Sequence, residues 1–127
     1  MNDDQYLTLC REQLETFANE LVERTRHLPD NDALRQLADN FAGLSGGEFE
    51  LYADGPTMVT RLFTTYPDFA PTFPRDLLWF FGGDCLHFMP DDEIAVYQQL
   101  DDLRSEAAAR GETLDIRAAK ASLKSLQ

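Results

Sequence analysis

The sequence predicts an all-α protein. It reads as a single domain over residues 1–127, a compact bundle of five or six helices around a buried central helix at about 74–89. Three observations carry this. Apolar residues recur at 3-4 spacing along most of the chain, the period of a helix with one buried face. Each such run closes at a Pro or a Gly. The one stretch with strand-like alternation, around Phe49 and Leu51, has no second strand to pair with.

Leu7, Cys10, Leu14, Phe17, Leu21 and Leu28 make a first amphipathic helix over 3–28, flanked by Glu12, Glu15, Glu20 and Glu23. Pro29 ends it, because a residue before Pro avoids the helical region. Asn31 or Asp32 caps a second helix, whose face is Leu34, Leu37, Phe41 and Leu44 and whose stop is Gly46-Gly47. The short connection makes these two an antiparallel αα-hairpin. Residues 47–55 read as a turn or a single helical turn, with Ser45 and Glu48 as a candidate capping box.

Asp54 and Pro56 open a third helix, with Met58, Val59, Leu62, Phe63 and Tyr66 inward. Then PDFAPTFP carries three Pro and two Phe in eight residues. That is an ordered crossover, since its aromatics need somewhere dry. Residues 91–110 form a fifth helix with Val96, Tyr97, Leu100, Leu103 and Ala107 inward, stopped by Gly111. Thr113 or Asp115 starts a last one, with Ile116, Ala119, Leu123 and Leu126 on one face.

The central stretch is FPRDLLWFFGGDCLHFMPDDEI. Pro74 suits a first helical turn. Leu77, Leu78, Phe80, Phe81, Cys85, Leu86, Phe88 and Met89 go most of the way round, so a helix here is buried on most sides. Gly82-Gly83 is either a left-handed cap or a close helix crossing inside one continuous helix. Two helical glycines cost about 2 kcal/mol relative to Ala, which a close crossing recovers. The reading adopted is one helix from Pro74 to Met89, kinked at the glycines. The run lacks the third Gly, the Gly-Lys-Ser/Thr and the preceding strand of a phosphate loop.

Net charge is −12, with 11 Lys and Arg against 23 Asp and Glu. That disfavours nucleic acid and anionic membranes as partners, since both require neutralising cations. The N-terminus lacks the basic and apolar regions of a signal peptide, and no apolar run is long enough to span a bilayer. A cytoplasmic location is expected, and there Cys10 and Cys85 are small core hydrophobes and not a disulfide.

The run YPDFAPTFPRDLLWFFGGDCLHFMPDDEI resembles the central motif of a family of small, functionally uncharacterised gammaproteobacterial proteins. The similarity covers about Pro56 to Leu103. It implies a bacterial cytosolic protein and supplies no activity.

Candidate polar residues gather in the same stretch. Asp84 and His87 stand at i, i+3, with Asp91 one turn on, a pattern that ligates a divalent ion only with further partners. Asp84 orienting a partly buried His87 is the simpler reading. Cys85 and His87, at i, i+2, point apart on a helix and make no nucleophile pair. Arg75, in a mostly apolar stretch, calls for a carboxylate partner or a bound anion. No metal and no cofactor are expected. The acidic run Asp91, Asp92, Glu93, Asp101, Asp102 and Glu106 is a solvated face or a dock for a basic partner.

The leading functional expectation is non-catalytic: a helical protein working through protein–protein contacts, self-association as a homodimer included. Its motive is aromatic excess, because a domain this small cannot readily bury Phe69, Phe73, Trp79, Phe80, Phe81 and Phe88 together; Phe69, Phe73, Trp79 and Phe80 are the candidate interface. The alternative is a small-ligand-binding or metal-dependent enzyme with its site around Asp84 and His87.

Overall fold

The computed structural model describes residues 3–125, and every regular element among them is helical. Six α-helices run α1 Asp3–Thr25, α2 Ala33–Ser45, α3 Leu51–Thr65, α4 Arg75–Phe81, α5 Asp91–Ala109 and α6 Ile116–Ser125. Two 3₁₀ segments, Pro67–Phe69 and Gly83–Phe88, add to these. There are thus more helical pieces than the expected five or six, because the crossover coils and the central stretch divides. Leu126, expected on the last apolar face, lies outside the described residues. The chain forms two compact units. Among the described residues, one is residues 10–88; the other is residues 89–125 with the first turns of α1.

In the larger unit the local signals act as their chemistry dictates. Asp32 caps α2, its carboxylate accepting from the amides of Leu34 and Arg35. Gly47, at φ 87°, closes that helix, and the Glu48 amide donates back to the Gly43 carbonyl. The helix α1 buries Cys10, Leu14, Ala18, Leu21 and Thr25. The Thr25 hydroxyl donates to the Leu21 carbonyl at 2.8 Å, which satisfies the one buried polar side chain among the described residues.

Its core is an aromatic chain. Phe17 on α1 meets Phe41 of α2 edge-on at 5.4 Å. It meets Phe73 of the crossover at 4.7 Å. Phe73 in turn touches Phe63 of α3 at 5.3 Å, and Phe63 touches Phe88 at 4.7 Å. All four pairs are near-perpendicular, the arrangement that sets a positive ring edge against a negative ring face. The crossover is ordered as expected, and Phe73 is why.

The third helix starts earlier than the sequence indicated. It begins at Leu51, so Pro56 sits inside it. Asp54 is not its opener; its carboxylate reaches back to the Glu50 amide at 2.8 Å and ties down the first turn. Pro56 has no N–H for the Tyr52 carbonyl, a local weakening the helix tolerates near its start.

The continuous central helix does not exist. The helix α4 ends at Gly82, whose amide donates to the Leu78 carbonyl at 3.0 Å. Gly82 takes φ 63°, ψ −154°, and Gly83 takes φ 53°. The physical reason is burial: one rod apolar all round needs neighbours on every side. Breaking it lets residues 83–88 turn, so that Cys85 is buried and Phe88 reaches Phe63 while Asp84 and His87 face solvent.

In the smaller unit, α5 and α6 pack together and bury Met89, Val96, Tyr97, Leu100, Ala107 and Ile116. Lys120 of α6 donates to the Tyr97 hydroxyl at 2.6 Å. Arg104 of α5 lies over the Tyr6 ring, 4.9 Å from its centre, joining the first turns of α1 to this unit. Asp115 caps α6 through the Ala118 amide.

Candidate functional site

Of the polar residues singled out from the sequence, Asp84 and His87 lie side by side, and Arg75 holds backbone carbonyls. Asp84 and His87 approach to 4.0 Å, and their side chains are 88% and 80% exposed. His87 is therefore not the partly buried histidine expected; the chain break turns it outward. Asp91 heads α5 in the other unit. Among the described residues no group of three His, Cys, Asp or Glu side chains is placed to hold a metal ion. Cys85 points inward, and its thiol is pushed up to about 11, first by burial and then by the adjacent Asp84 carboxylate. It carries a proton at neutral pH.

Arg75 has a structural task. Its guanidinium donates to the Ala70 carbonyl at 2.7 Å and to the Phe88 carbonyl at 3.1 Å. These bonds tie the crossover to the end of the 3₁₀ segment. Neighbouring Asp76 accepts from Gln13 of α1 at 2.7 Å.

The expected exposed aromatics are also redistributed. Phe73 is 1% exposed and belongs to the core, which removes it from any surface. Phe69 is half-buried, edge-on to Tyr66 at 6.4 Å; Trp79 and Phe80 are half-buried too. The large hydrophobics that are exposed among the described residues are Tyr52, at 61%, and Phe49, at 40%. Tyr52 rests against Phe80 at 5.3 Å, and Phe80 against Phe81 at 5.5 Å. An aromatic shelf thus surrounds the start of α3, which the sequence left as a turn.

Beside that shelf lies an open groove of about 640 Å³. Its floor is the outer face of α3, with Thr57, Thr60, Arg61, Thr64 and Thr65; its other wall is Phe81, Gly82, Gly83 and Asp84. The volume is in the range of small-molecule sites. The left-handed glycines bring side-chain-free backbone to its edge. A second cleft of about 290 Å³ lies among Arg11, Leu14, Leu44, Phe49 and Tyr52. Sequence reasoning missed this face, although Thr57, Thr60 and Thr64 at 3-4 spacing were there to read. Threonine on the polar side of a helix carries little signal by itself.

No helix among the described residues is long and apolar enough to cross a membrane. No curated protein and no solved structure matches the chain. A family model described as PA2817-like matches residues 3–127, nearly the whole sequence, and the chain belongs to that family.

Proposed function

We propose that this protein works in the cytoplasm through protein–protein contacts, and that the aromatic shelf of Phe49, Tyr52 and Phe80 is its contact surface. The observation that carries the reading is Tyr52. It is 61% exposed although apolar partners stand beside it. Tyrosine offers a large rigid face and a hydroxyl at low entropic cost, which is why it concentrates at the centres of interfaces. Trp79 and Phe69 remain candidates for the margin of the same surface. The net charge of −12 favours protein over nucleic acid or anionic lipid as the partner.

Self-association as a homodimer is the simplest form. Light scattering at micromolar concentration then gives a mass near twice the 14.4 kDa of one chain. Tyr52→Ser combined with Phe49→Ser returns it to one chain without loss of helicity. Should the wild type stay a single chain at all concentrations, self-association fails. Affinity capture with the same double variant as control then tests a different partner, and identical captures by the two proteins reject the shelf.

A further inference from the structure

We propose that the groove between α3 and the Gly82–Gly83 turn binds a small zwitterionic aminocarboxylate with an aromatic or apolar side chain, in other words a free amino acid or the like. Arg61 receives its carboxylate and Asp84 its ammonium group. The inference goes beyond the contact surface above and shares Tyr52 with it, while its charged and hydroxyl groups lie outside that surface.

The hydroxyls come first. A helical threonine commonly turns its hydroxyl back onto the carbonyl four residues earlier. Thr8 does so to Asp4 at 2.9 Å, Thr25 to Leu21 at 2.8 Å and Thr57 to Ala53 at 3.4 Å. Thr60, Thr64 and Thr65 make no such bond, nor any other within the described residues. Three threonines thus line the groove with hydroxyls that no group among the described residues holds.

The charges come second. Arg61 has no ion pair or hydrogen bond within the described residues. Asp84 has only the long 4.0 Å approach of His87. The two line one groove and do not pair with one another. A single guanidinium selects an anion, and carboxylate matches its planar fork. A carboxylate across the groove repels a second negative charge and favours a ligand that also carries a cation. Tyr52, Pro56 and Phe81 form the apolar part of the wall, which suits a ring or an alkyl side chain.

The test uses the full chain and isothermal titration with L-phenylalanine, 3-phenylpropanoate and phenethylamine. The amino acid binds tightest; the carboxylate without the amine, and the amine without the carboxylate, each bind at least about tenfold more weakly. Arg61→Gln weakens phenylalanine and phenylpropanoate by about tenfold and leaves phenethylamine unchanged, whereas Asp84→Asn weakens only the two amines. Both positions are exposed, so circular dichroism confirms that the variants fold. A panel of the twenty amino acids covers other side chains. Absence of saturable binding across that panel at millimolar concentration overturns the proposal, and so does binding indifferent to Arg61→Gln. Arg61→Gln and Asp84→Asn both leave Phe49, Tyr52 and Phe80 in place, so failure here leaves the contact-surface reading standing; a wild type that stays a single chain leaves the groove intact.

Discussion

Two sets of aromatic rings in residues 10–88 have opposite fates. Phe17, Phe41, Phe63, Phe73 and Phe88 form an interior chain of edge-to-face contacts drawn from α1, α2, α3, the crossover and the 3₁₀ segment. Tyr52, Phe80 and Phe81 meet at tilted angles between the start of α3 and the end of α4, with Phe49 just before α3, and all four are partly in solvent. Composition does not separate the sets. What separates them is closure: the first set is one continuous chain of ring contacts with Phe41, Phe63 and Phe73 buried, whereas the second ends in water at Tyr52 and Phe49. The interior set therefore carries stability, and the shelf set contributes little to it.

That contrast breaks first at Phe73. Truncation to Ala removes the ring linking Phe17 to Phe63 and leaves a cavity, at a cost of roughly 3–5 kcal/mol. Urea unfolding with an unchanged slope measures it; a loss below about 1 kcal/mol would mean that the interior chain is not cooperative.

Gly82→Ala comes next. Its φ of 63° and ψ of −154° lie in a region essentially restricted to glycine, and an added Cβ would meet only the Trp79 carbonyl, at 3.8 Å. The cost of about 1–3 kcal/mol is then conformational and not steric. Gly83→Ala also loses on conformational grounds, since its φ of 53° is left-handed although its Cβ has open space. A neutral or stabilising Gly82→Ala would restore the continuous helix.

Gly55→Ala is a smaller and differently caused loss. The new Cβ falls 2.5 Å from the Phe81 ring, so the ring must move. Overpacking costs about 1–3 kcal/mol, and the gain in helix propensity returns about 1. Thermal melts showing a net loss near 1 kcal/mol support a firmly seated Phe81. A gain would show that the shelf ring swings freely.

Tyr52→Ser is the smallest, within about 0.5 kcal/mol of wild type in stability, because most of the ring is in water. If the proposed contact surface holds, its effect falls on association and not on folding. A loss comparable with Phe73→Ala would place Tyr52 among the structural rings and remove the distinction.

These positions also mark what the sequence can disclose. The caps of α2 and α6, the stops at Gly47 and Gly111 and the inward faces of α1, α2 and α5 were legible, because each rests on contacts a few residues apart. The start of α3 was not, since Pro56 looks like an opening residue and only the Asp54-to-Glu50 bond shows a helix already under way. The break at Gly82 was not, because both of its conformations are locally acceptable and the choice depends on Cys85 and Phe88 finding the core. Of the candidate site, Asp84 was singled out for a histidine neighbour, while the structure gives it a groove. Arg61 and the threonines were passed over because a polar helix face has no distinguishing pattern until a second wall stands opposite.

The two carbonyls held by Arg75 have a consequence for how the molecule breathes. A guanidinium fixing Ala70 and Phe88 at once closes the intervening chain into a loop, with α4 and the glycine turn inside it. Local opening of residues 83–88 loosens the same guanidinium that holds the crossover, which couples the two openings. Amide exchange reports this as a common protection factor for residues 69–73 and 85–88, and Arg75→Met splits it into two. The groove wall at Gly82–Gly83 is carried inside that loop, so its occupancy is linked to the same event. A ligand seated there slows exchange in the crossover, a segment it never touches.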